Sequence, residues 1–181
     1  IDAPAVPDDK VKAFSIFEAG WDVSRAEENY QRLVKMGEGV EVPPGSESDK
    51  PYSKFMAIYA ALCRHHMKTY GTTQRQIAAV SAKNHTHSVH NPLSQFRKPF
   101  TIDEVLAAPP ITFPITLPMC APLSDGAAAA VLCTEEGLKR IRADKSRCIK
   151  VSASVIRSFT HRRLDEPEQN IGRLAANQAY E

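Results

Sequence analysis

The stretch Ser124–Thr134, SDGAAAAVLCT, decides how the fold is read. Its Asp-Gly pair marks a turn, in which Asp125 serves the backbone rather than a reaction. The four alanines that follow, with Val131 and Leu132, read as a buried strand of small residues. Side chains that small let another layer pack close to the backbone, so a covered sheet is expected here. Further on, Ile149, Val151, Ala153 and Val155 alternate with Lys150, Ser152 and Ser154, the period of a half-buried strand. Between the two, EEGLKRIRAD (135–144) places acids first and bases last, as the dipole of a helix favours.

Upstream of the alanine stretch, ITFPITL (111–117) is β-rich but holds Pro114, which suits an edge or bulged strand. Before it, Thr101 and Glu104 form a capping box that opens the helix IDEVLAA, and Pro109-Pro110 ends it. After Asp165, Glu166 and Pro167 a last amphipathic helix carries Ile171, Leu174 and Ala175 on one face. Helix, strand, helix, strand, helix after residue 100 predicts a layered α/β architecture.

Residues 1–100 read differently, as helix and loop. Ser24 with Glu27 suggests a capping box, Tyr30, Leu33 and Val34 an apolar face, and Gly37 a stop. GEGVEVPPGSESDKP (37–51) is a polar Pro/Gly-rich loop. A longer helix is expected from Ser48 or Asp49, with Pro51 in its first turn, to Gly71. Its stripe of Phe55, Tyr59, Leu62, His66 and Tyr70 covers a single face, and Cys63 beside it is expected in the core. The next helix opens at a Thr73/Gln76 capping box and runs to Asn91-Pro92.

That last helix holds three histidines in KNHTHSVHNP (83–92). At about 100° per residue, His87 and His90 lie roughly 200° and 140° around the axis from His85. The three cannot converge on one ion; His87 and His90 share a face, a two-ligand half-site that would need carboxylates or cysteines from elsewhere, and no metal site is assigned. His85, His90 and Asn91 are candidates to line a cleft.

The 181 residues, 43% of them hydrophobic, suffice for a real core. A net charge of +2 from 23 basic and 21 acidic residues scattered along the chain leaves no stripe for nucleic acid. The longest apolar run, Ala127–Cys133, is far short of the ~20 residues a membrane span needs. Four single cysteines, Cys63, Cys120, Cys133 and Cys148, make no disulfide framework or CxxC site, which fits a reducing, cytoplasmic setting. Cys133 is expected in the core at the end of the alanine strand. The chain opens at Ile1, and IGRLAANQAYE (171–181) ends without a stop signal; both suggest an excerpt of a longer polypeptide.

KNHTHSVHNPLSQF (83–96), then TIDEVLAAPPITFPITLPMCAPLSDGAAAAVLCTEEGLKR (101–140), resembles the middle of a sterol-carrier-protein-type thiolase. That family shows Lys-Asn-His, Asn-Pro, a DEVL-like helix and a Cys-x-Pro-x-Ser-Asp-Gly-Ala-Ala-Ala turn in this order. The upstream HHMKTYGTT (65–73) is similar to its Met-x-x-Tyr-Gly-Thr helix end. The resemblance implies part of a layered αβαβα fold. Residues 1–100 would be the helical loop domain that lies over coenzyme A, 101–148 the end of the N-terminal half, and 149–181 the start of the C-terminal half.

The resemblance further implies a segment of an acyltransferase acting on acyl-coenzyme A, by 3-ketoacyl thiolysis or Claisen condensation through an acyl-cysteine. Coenzyme A would enter as substrate, with no prosthetic group, and the enzyme would be a homo-oligomer. The nucleophilic Cys, the His and the oxyanion-hole motifs are absent between Ile1 and Glu181, so they are expected in flanking polypeptide and this segment alone is expected to be inactive. Within the chain, Met119, Cys120, Ala121, Pro122 and Leu123 would meet the pantetheine or acyl arm, joined by Met56 of the loop-domain helix. Arg97 and Lys98 would meet a phosphate or stay solvated. Two rival readings are a retro-aldolase of steroid side chains working with a small coenzyme A-binding partner, and a non-catalytic thiolase-like subunit or interaction module.

Overall fold

A computed structural model describes residues 22–122, 126–141, 144–158, 163 and 166–181. The chain divides into two units, Ile1–Gly126 and Ala127–Glu181.

Among the described residues the first unit holds four helices and a hairpin. Helix α1 spans Ala26–Lys35, α2 Lys54–Tyr70, α3 Gln74–Ser88 and α4 Ile102–Ala107. Strands β1 (Pro110–Thr112) and β2 (Ile115–Thr116) pair antiparallel around a turn at Phe113-Pro114, and a 3-10 turn, Leu117–Met119, follows at once. Pro114 thus occupies the bend between two short strands. Helix α1 packs on α2, α2 on β1, α3 on α4, and the 3-10 turn on both α3 and α4.

Local chemistry sets most of the helix ends. Thr73 and Thr101 each accept from the amide three residues on, and Gln76 and Glu104 return the bond to the cap. Both expected capping boxes are present. Gly71 ends α2 with φ of 70°, a left-handed turn that costs glycine no Cβ clash. At α1 the expected box is replaced: Ser24 turns its amide and hydroxyl to Asp22 Oδ1 at 3.1 and 2.6 Å, and Arg25 becomes the N-cap.

Helix α2 begins at Lys54, later than expected, because the preceding segment is engaged elsewhere. The Ser48 amide donates to Ile111 O at 3.0 Å, and Glu47 Oε1 accepts from Thr112 Oγ1 and the Phe113 amide at 3.1 and 3.2 Å. These bonds pin the Pro/Gly-rich loop onto the hairpin. The buried side of α2 is Ile58, Ala60 and Ala61, whereas Tyr59, Leu62 and Tyr70 of the expected stripe are exposed. Small residues win the inner face because neighbouring backbone comes close: a Cβ on Gly37 would lie 2.9 Å from Ala61 Cα. Around α3 the core gathers Ala78, Ala82 and Val105, with Phe100, Ile102, Leu106 and Met119 packed against them.

In the second unit, α5 spans Glu135–Arg140, capped by Thr134 Oγ1 at 3.1 Å from the Gly137 amide, and α6 spans Ile171–Tyr180 behind the Asn170 cap. Single 3-10 turns lie at Lys145–Arg147 and Pro167–Gln169. The expected strands over the alanine stretch and over 149–155 are not formed: described residues there are irregular, and Val131, Leu132, Ile149 and Val151 are exposed. Cys133, expected in the core, is exposed with them. A strand is stabilised by its ladder and by side chains across it. The sequence pattern fits these residues for a sheet without supplying a neighbour. The described secondary structure is therefore mixed, helical with a two-stranded sheet. Among the described residues no helix is long and apolar enough to cross a membrane.

Candidate functional site

The 3-10 turn after the hairpin ends at Met119, and Cys120–Pro122 continue from it beside α3. Together they form one wall of a cleft of about 600 Å³. Ile77, Val80, Ser81 and His85 of α3 face them, and Phe96 closes a side. Most of these contributors are apolar, so the cleft suits a chain-like, weakly polar guest with a few fixed hydrogen bonds.

Polar groups of α3 tie both flanking segments to the helix. Ser81 Oγ and His85 Nε2 reach Pro118 O at 2.7 and 3.0 Å. Ser88 Oγ lies 2.8 Å from Phe96 O and from His85 O. These residues follow one another at i, i+4 and i+7, one side of a helix. The His85 ring also stands edge-on to Phe100, centroids 4.8 Å apart.

Met56, near the start of α2, meets the wall from another direction: Cys120 Sγ donates to Met56 Sδ at 3.5 Å. Cys120 is half-buried, and burial pushes its thiol above the ordinary range, which disfavours thiolate. Cys63 is raised by the same cause. Arg64 draws the Cys63 thiol down without offsetting its burial, among the described residues no cation acts on Cys120, and Cys133 and Cys148 are exposed.

The structure thus brings Met119, Cys120, Ala121 and Pro122 together with His85, and sets Met56 against Cys120. Leu123 and Asp125 lie outside the described residues. His90 and Asn91 remain at the exposed end of α3, where Asn91 Oδ1 accepts from the Leu93 amide at 3.0 Å. Arg97 donates to Val89 O at 3.3 Å, and Lys98 Nζ sits 5.1 Å from the Phe100 ring centroid, so both have intrachain roles. Ser81, Ser88 and Phe96 were not singled out from sequence; the i, i+4, i+7 spacing of Ser81, His85 and Ser88 was the available signal. Among the described residues no group of three His, Cys, Asp or Glu is placed to hold a metal ion.

Three relatives bear on this arrangement. Sterol carrier protein 2 of Oryctolagus cuniculus is 45% identical over 83 residues, 46% of this chain and 15% of its own length. An acetyl-CoA acetyltransferase of Methanothermobacter thermautotrophicus is 39% identical over 99 residues, 55% of this chain and 26% of its own. The benzoylsuccinyl-CoA thiolase subunit BbsB of Thauera aromatica is 34% identical over 125 residues, 68% of this chain and 32% of its own. The chain matches the thiolase superfamily at its sterol-carrier-protein-type branch. This thiolase-type segment spans under a third of the length of each of those relatives. No protein-family model matches the chain, and no solved structure matches it.

Proposed function

We propose that this chain is the coenzyme A-covering segment of a thiolase-type acyltransferase, and that the cleft beside α3 receives the pantetheine or acyl arm. The observation that carries this reading is the apolar wall Met119–Pro122 standing opposite α3 across about 600 Å³. Contacts to the arm are apolar or through backbone, since Ala121 offers no side-chain donor. Met56 supports the wall through Cys120. Leu123 follows Pro122 in sequence, and the resemblance extends the same contact role to it. The activity is thiolysis of a 3-ketoacyl thioester or its reverse, with the attacking cysteine and its base supplied by flanking polypeptide in a homo-oligomer.

The layered αβαβα arrangement belongs to the same proposal, with residues 1–100 as loop domain, 101–148 closing one half and 149–181 opening the next. The exposure of Val131, Leu132, Ile149 and Val151 supports it, because residues of that type are spent on sheets that neighbouring strands complete.

A second reading is lipid transfer, favoured by two relatives' names: sterol carrier protein 2, and the non-specific lipid-transfer protein-like 2 of Caenorhabditis elegans, 34% identical over 120 residues. An apolar cleft also admits a lipid chain. Titration calorimetry of the chain with coenzyme A, acetyl-coenzyme A and a free fatty acid separates the two. The acyltransferase reading expects saturable binding of the coenzyme A compounds, weakened by Ala121→Trp; binding of fatty acid alone overturns it. Thioester cleavage by the whole polypeptide, followed with acetoacetyl-coenzyme A and free coenzyme A, then reports the reaction.

A further inference from the structure

Pro118 is the middle residue of the 3-10 turn, and its carbonyl receives two side chains from α3, Ser81 Oγ at 2.7 Å and His85 Nε2 at 3.0 Å. A carbonyl oxygen has two lone pairs and no hydrogen, so both partners donate and His85 Nε2 carries its proton. The donors are themselves held. Ser81 is buried on α3, and the His85 ring is set by its edge contact with Phe100.

Because the peptide unit is planar, orienting one carbonyl orients the whole Pro118–Met119 plane and the direction in which the chain leaves it. Met119 then packs on the α3–α4 core, Cys120 meets Met56, and Ala121 and Pro122 run on exposed. We infer that Ser81 and His85 act as a pair of positioning residues, which fix the Pro118–Met119 peptide and thereby the line of the Met119–Pro122 wall. The inference rests on the acyl-coenzyme A reading for its meaning, since a fixed wall lowers the ordering cost of a bound arm, but its geometry can be tested without any ligand.

Cys120 is the reporter, since it lies on the wall and is half-buried. The full chain, its Ser81→Ala, His85→Ala and His85→Gln variants are alkylated with iodoacetamide, and each cysteine is followed by peptide mass. Loss of one hydrogen bond is expected to raise Cys120 labelling by about fivefold in S81A and in H85A. Gln places an amide N–H close to where Nε2–H was, so H85Q should return the rate toward the parent.

Cys63, half-buried on α2, is the internal control. If Cys120 stays at the parental rate in both Ala variants, or if Cys63 accelerates in step with it, the positioning role is overturned; S81A, the milder change, decides the matter should H85A fold poorly. Calorimetry with coenzyme A on the same proteins distinguishes the two readings. A parent that binds no coenzyme A while Cys120 responds as expected defeats the acyl-coenzyme A assignment and upholds the positioning pair. A parent that binds with unaltered Cys120 labelling in the variants does the opposite.

Discussion

The carboxylate of Glu47 accepts the backbone N–H of Phe113 at 3.2 Å, across 66 positions of sequence. The same oxygen accepts Thr112 Oγ1 at 3.1 Å, and Tyr52 OH donates to the other oxygen at 3.2 Å. One side chain thus ties a loop without regular structure to the turn that leads into the candidate site. Glu47→Ala should speed hydrogen exchange at the Phe113 amide and lower the melting temperature, while Glu47→Gln keeps an acceptor oxygen and should lie between. Equal exchange in parent and Ala variant would refute the tie.

Gly37 is required by closeness rather than by an unusual backbone angle. A Cβ there would stand 2.7 Å from Arg64 Nε and 2.9 Å from Ala61 Cα. Arg64 cannot simply swing away, because it donates to Phe113 O. Gly37→Ala is therefore expected to destabilise the first unit by about 1–3 kcal/mol, the usual cost of overpacking. Urea unfolding read by far-ultraviolet circular dichroism measures it.

The box at α3 predicts a second stability effect. Thr73 Oγ1 accepts the Gln76 amide at 3.3 Å, and Gln76 Oε1 accepts the Thr73 amide at 2.8 Å. Thr73→Ala should cost about 1 kcal/mol and Thr73→Ser much less, since serine keeps the acceptor. Matching melts for Ala and Ser variants would show that the cap contributes nothing.

Acid should loosen the start of α4. The Thr101 amide donates to Glu104 at 2.7 Å, and this bond, with the Thr101 hydroxyl, holds the Glu104 carboxyl below its ordinary range. A carboxyl lowered on folding contributes stability that is present above its unfolded value and is lost as pH falls through the lower folded value. Carbon-detected titration of the Glu104 carboxyl should give a midpoint below that of an unstructured Glu, and Thr101→Val should move it upward. An ordinary midpoint in the parent would contradict the box.

Cysteine reactivity should divide by burial. Burial raises the Cys63 and Cys120 thiols, while Cys133 and Cys148 are exposed. At pH 8 the exposed pair should react first with iodoacetamide, followed by peptide mass, because thiolate is the reactive form. Fast modification of Cys120 in the native chain would contradict its place against Met56.

What the sequence made legible was the chemistry that acts over one turn. The Thr73/Gln76 and Thr101/Glu104 boxes and the Gly71 stop depend on residues three apart, and all three are in place. Ser24 misleads because Asp22, two residues away, offers its hydroxyl a nearer acceptor. The start of α2 misleads because Glu47 and Ser48 are committed to a hairpin far along the chain, which no local pattern reports. The alternation at 149–155 describes suitability for a sheet, and pairing is a property of a neighbour. At the candidate site, the motif resemblance drew attention to Met119–Pro122, whereas Ser81 and Ser88 looked like any polar residues on a solvated helix.

Helices α2 and α3 are two legs joined through Gly71, the left-handed residue that ends the first, and each packs on its own partners, α1 and β1 for one and α4 for the other. Residues 118–120 are the crossbar, fastened to one leg at Met56 and to the other at Ser81 and His85. Two helices tied at a second point are harder to part than two joined by a single turn, so loosening the crossbar at either end should weaken the tie between α2 and α3.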